Sequence, residues 1–162
     1  MRRRASGRAA AAALALAGLA AAPSSGESPR VLYMLHCQGC HLADGTGKPG
    51  EVPSLAGSVG RFLAVAGGRA YLVQVPVSAH SPLDDGQLAA VLNWMVAAFG
   101  PAEAAAGLVP YDAAEVARYR ADPLVDVAGA RAELLRRLAA GGQSGASAPR
   151  SQSQGSRPLR AQ

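Results

Sequence analysis

The chain has 162 residues, 49 % of them hydrophobic and 4 % aromatic, with a formal charge of +5. That charge sits at the ends: four of the sixteen Lys and Arg fall within the first eight residues and three within the last thirteen, whereas residues 27–140 carry nine basic against eleven acidic side chains. A near-neutral body excludes the clustered basic face of a nucleic-acid binder, and a body so poor in aromatic residues is too small to build a large core unaided.

Arg2, Arg3, Arg4 and Arg8 precede an apolar run, Ala9 to Ala22, that ends in Ala20-Ala21-Ala22. This order predicts a secretion leader over residues 1–26, cut on export, with an uncleaved anchor as the alternative. The apolar run is short beside the ~20 residues of a membrane span. An exported, periplasmic location is the expectation.

Arg30 to His36 reads as a helix with Leu32, Tyr33 and Leu35 available for packing. Both cysteines then fall in one pentapeptide, Cys37-Gln38-Gly39-Cys40-His41. Two thiols one helical turn apart project to one side, where each can add to a vinyl group on one porphyrin edge, and the next residue supplies an imidazole for the iron. The motif therefore predicts one covalently attached haem c, held by Cys37 and Cys40 and ligated by His41. A structural zinc site would want a second pair of ligands, and a thioredoxin-like dithiol a preceding strand; the flanks supply neither.

Tyr33 four positions before Cys37, the CxxCH motif, Asp44-Gly45-x-Gly47 and Pro53-x-Leu55-Ala56-Gly57 together resemble the class I monohaem cytochromes c of bacteria, from about Arg30 to Phe99. The resemblance implies an all-α fold, a small helical domain over residues 28–100 wrapped around the haem. It also implies that the Pro53 carbonyl accepts from Nδ1 of the haem histidine. Arg61 and Arg69 flank a Gly-rich stretch, and one of them is expected at the haem propionates.

Asp84-Asp85-Gly86-Gln87 predicts an N-cap and capping box for a helix over Leu83–Phe99, which Gly100-Pro101 stops. In the family, a methionine from the loop before this helix is the sixth ligand. Here that loop, Gln74 to Pro82, contains no methionine. His80 in the loop, Met95 on the helix, or an open position are the alternatives. An open position would suit a small-ligand sensor or a haem enzyme.

Residues 101–140 form an extension with helices from Pro110 to about Ala121 and from Asp126 to Ala140, expected to wrap the haem domain, with docking onto a partner enzyme as the alternative. Residues 141–162, rich in Gly, Ser and Gln, read as a disordered tail. The function expected is single-electron transfer between an exported dehydrogenase and a downstream oxidase or cytochrome. A cytochrome subunit held on a dehydrogenase is a further reading.

Overall fold

The computed structural model describes residues 26–146, with side chains as far as Gly141. The leader expected over residues 1–26 and the tail beyond Ala146 lie outside the described residues, Gly26 apart. Among the described residues the regular structure is helical, with one isolated bridge between Lys48 and Val52.

Helix α1 (Pro29–His36) starts at Ser28, whose hydroxyl accepts from the Val31 N–H, and has Pro29 in its first turn, where a missing N–H costs nothing. It ends at Cys37 and is followed by the single turn α2 (Gln38–His41). A 3-10 segment (Val59–Ala64), α3 (Gly68–Gln74) and the short α4 (Pro76–Ala79) lead to α5 (Asp85–Phe99). The capping box of α5 forms as the sequence predicts. Asp84 Oδ1 accepts from the Gln87 N–H at 2.7 Å, and Gln87 Oε1 accepts from the Asp84 N–H at 3.0 Å.

Helices α1 and α5 pack together through aromatic rings. Tyr33 lies 5.1 Å from Trp94 and 5.2 Å from Phe99, centroid to centroid, and Trp94 meets Phe99 edge-on at 5.3 Å. Each such pair adds about 0.5–1.5 kcal/mol to simple burial. Gly45, at φ +75°, lies under the Phe99 ring so closely that a Cβ would stand 2.9 Å from it. Leu32, Val73, Val91, Leu92 and Met95 complete the centre of the core.

The extension contains three helices rather than the expected two: α6 (Ala102–Ala106), α7 (Ala113–Arg120) and α8 (Val127–Ala146). The Ala-Glu-Ala-Ala-Ala of α6 has no apolar periodicity to announce it. Helix α8 runs through Gly141 and Gly142 to Ala146, six residues into the stretch read from composition as tail. Glycine weakens a helix without being obliged to stop it. Nor is the extension a separate layer. Tyr111, Val116 and Leu134 are buried in the same hydrophobic cluster as Tyr33 and Met95, with α7 against α5 and α8 against the 3-10 segment and α3.

Candidate functional site

Cys37 caps α1 and opens α2, which carries Cys40 and ends at His41. Continuous helical turning brings both thiols and the imidazole into one short stretch: the Cys40 and His41 amides both donate to the Cys37 carbonyl, at 3.2 and 3.0 Å. Cys40 is exposed and Cys37 half-buried. Burial, and then the Cys40 thiol beside it, push the Cys37 thiol up to about 11.

His41 is half-buried, with one ring nitrogen inside. Nδ1 is buried and has no hydrogen-bond partner. Burial lowers the pKa of the ring, and the Pro53 backbone carbonyl opposes that effect while falling short of hydrogen-bond geometry. An imidazole that turns Nδ1 inward presents Nε2 outward. The chain immediately after it is held on both sides: Tyr33 Oη donates to the Leu42 carbonyl at 2.6 Å, and the Gly47 N–H donates to the His41 carbonyl at 3.1 Å. Leu42 has φ +63°, a left-handed conformation rare for a leucine, and these two bonds over-determine it. Gly47, at φ +68°, lies against the Val52 and Pro53 carbonyls, where a Cβ would stand 2.4 and 2.9 Å from the two oxygens.

At the other end of the attachment motif, a groove of about 450 Å³ is lined by His36, Pro76, Val77, His80, Ser81 and Pro82. It borders the motif through His36, the residue before Cys37. His80 is exposed, and its imidazole makes no hydrogen bond. Ser81 Oγ is buried without a partner; among the described residues only His41 Nδ1 shares that condition. Met95 is buried at 8 % exposure within the core.

Of the two arginines, Arg69 differs from expectation. Arg69 is taken up by the extension: its Nε and Nη2 donate to the two Glu115 carboxylate oxygens at 2.8 and 2.6 Å, and Nη1 donates to the Val109 carbonyl at 2.7 Å. Its guanidinium also lies 4.1 Å from the Tyr111 ring centroid, so it is not free for a propionate. Arg61 is exposed and lines a cleft of about 680 Å³ whose walls include none of Cys37, Cys40, His41 or His80. Sequence reasoning missed Arg120, at the end of α7, because nothing local distinguishes it from other helical arginines.

No family model matches the chain. It is 37 % identical over 129 residues to a cytochrome c-552 of Thermus thermophilus, a match covering 68 % of this chain and 84 % of that protein. A second Thermus thermophilus cytochrome c-552 is 38 % identical over 106 residues, covering 54 % of this chain and 81 % of the relative. The chain belongs to the c-type cytochromes. As a c-type cytochrome it is an electron carrier rather than an enzyme, and its prosthetic group is covalently attached haem c. Sixty-eight per cent of 162 residues is about 110, so about 19 of the 129 aligned positions have no residue in this cytochrome. The donor set fits that group: two uncrosslinked cysteines, an imidazole with Nδ1 buried and Nε2 left accessible, and a largely apolar groove that reaches the motif at His36.

Proposed function

We propose that this cytochrome is a periplasmic carrier that takes single electrons from an exported dehydrogenase and delivers them to a downstream oxidase or cytochrome. Cys37 and Cys40 are the thioether anchors and His41 the iron ligand. Bound haem supplies a reversible one-electron couple at its iron. The chain's own residues do the rest. The Pro53 carbonyl is the acceptor nearest in role to Nδ1 of His41; a hydrogen bond donated by that N–H, which a small turn of the ring would complete, fixes the ring's orientation and raises its basicity. Gly47 allows that carbonyl to come close, and Tyr33 holds the end of α2 from beneath.

The observation that carries this reading is the His41 ring, half-buried with only its inner nitrogen enclosed, one residue after an exposed thiol. The basic and apolar start of the chain supports export. No helix among the described residues is long and apolar enough to cross a membrane.

The test is expression with the haem-attachment machinery of an exporting host, followed by acid-acetone extraction and a pyridine haemochrome spectrum. Colour that stays with the polypeptide, at one haem per chain, is expected; Cys37→Ala with Cys40→Ala should release it. Wild-type protein that gives up its haem to the solvent would sink the proposal.

A further inference from the structure

The guanidinium of Arg120 brackets His80. Its Nε donates to the Ala79 carbonyl at 2.9 Å and its Nη2 to the Ser81 carbonyl at 2.7 Å, one on each side of the histidine. Nη1 adds the Leu83 carbonyl at 2.8 Å and Asp85 Oδ1 at 2.9 Å. One side chain, 17 % exposed, thus grips four residues from the end of α4 to the start of α5. The planar fork of arginine suits this task; a lysine would replace only part of it.

Besides that grip, the stretch is held by the buried side chains of Ala79 and Leu83, at 7 % and 4 % exposure, and by its own short turn. Helix α4 is a single turn closed on itself by bonds from Ser78 and Ala79 to the Val75 carbonyl and from His80 to the Pro76 carbonyl. The His80 side chain is unbonded, and Val77 is 76 % exposed. The same residues line the groove beside Cys37. Buried Ser81 Oγ, without a partner, sits on the gripped stretch. So the side chain that ties the His80 side of the groove's wall to the rest of the fold by hydrogen bonds comes from the C-terminal extension.

We propose that Arg120 is a positioning residue for the haem: it holds the Ala79–Asp85 stretch, and His80 with it, in the groove that borders the attachment motif. The proposal rests on the reading of Cys37, Cys40 and His41 as the haem site. It gives the extension a part in the redox chemistry beyond packing. Each hydrogen bond lost from the grip changes the opening equilibrium of the stretch by about a factor of five.

The experiment uses the haem-loaded full chain, comparing wild type with Arg120→Met and Arg120→Lys, well below their melting temperatures. The readouts are the rate of carbon monoxide binding to the ferrous form, the ferrous and ferric optical spectra, and the midpoint potential. Arg120→Met is expected to bind carbon monoxide roughly tenfold faster or more, with a shifted potential, and Arg120→Lys to fall between. A lower melting temperature with unchanged rate, spectrum and potential overturns the proposal and leaves Arg120 a packing residue. If Arg120→Met does not accumulate folded, Arg120→Lys decides on the same readouts. Failure of the wild type to attach haem overturns the parent reading, an outcome visible before any variant is compared.

Discussion

The Tyr33 hydroxyl donates to the Leu42 carbonyl at 2.6 Å, so the buried face of α1 holds the residue that directly follows His41. Tyr33→Phe removes that bond while keeping the ring among Trp94 and Phe99. The expected cost is about 1 kcal/mol, read by denaturant unfolding. Burial, with the Cys37 and Asp44 charges after it, pushes the Tyr33 phenol up to about 12. Its folded pKa lies above the unfolded value near 10, so its contribution to stability is complete below pH 10 and is lost as pH rises toward 12. Wild type should therefore lose stability between those values, and Tyr33→Phe should lose less.

Arg69 and Glu115 join the haem domain to the extension. The guanidinium holds the Glu115 carboxyl below the usual carboxylate range, chiefly through their hydrogen bonds. A lowered folded pKa means that the pair stabilises the fold above about pH 4.5 and that this is lost as pH falls through the folded value. Arg69→Ala should cost about 2 kcal/mol at pH 7, because the partners are largely buried and the bonds charge-assisted. Thermal unfolding at pH 7 and pH 3 should show the gap between wild type and Glu115→Gln closing at the acid end.

Gly47→Ala tests the approach of Pro53 to His41. Its positive φ and the close Val52 and Pro53 carbonyls leave no space for a methyl group. A loss of about 1–3 kcal/mol is expected, together with a changed midpoint potential as the Pro53 carbonyl moves from the imidazole. Redox titration checks the second effect independently of the first.

His80→Ala and Met95→Leu separate the two candidate sixth ligands. Met95 packs in the core, so Met95→Leu should cost under about 1.5 kcal/mol and leave the ferrous spectrum unchanged. The groove-lining His80 is the free donor, and His80→Ala should turn the ferrous iron high-spin and open it to carbon monoxide. Optical spectra with and without carbon monoxide decide between them; a spectrum that changes only in Met95→Leu would assign the role to sulfur.

The parts with local signatures were readable in the sequence. Asp84 and Gln87 announce the start of α5 three residues apart, and Cys37, Cys40 and His41 lie within one turn, so short-range spacing carries their geometry. Helices α3 and α4 went unseen because Gly67-Gly68 and Pro76 read as loop residues, although each here opens a helix. The roles of Arg69 and Arg120 could not be read, because the partners of Arg69 lie 40 to 46 positions away and those of Arg120 lie 35 to 41 positions away. Arg69 looked available for a haem carboxylate only because Glu115, distant in sequence, does not show itself as a neighbour.

That separation also orders events in time. A chain that emerges amino end first presents Cys37, Cys40 and His41 long before Arg120 exists to close the Ala79–Asp85 stretch, and contacts between such distant residues form late in folding. During that interval the two thiols are not yet packed into the fold, in which Cys37 is half-buried. A clamp placed that far downstream of the motif, as proposed above, leaves a window for attaching the cofactor before the structure shuts around it.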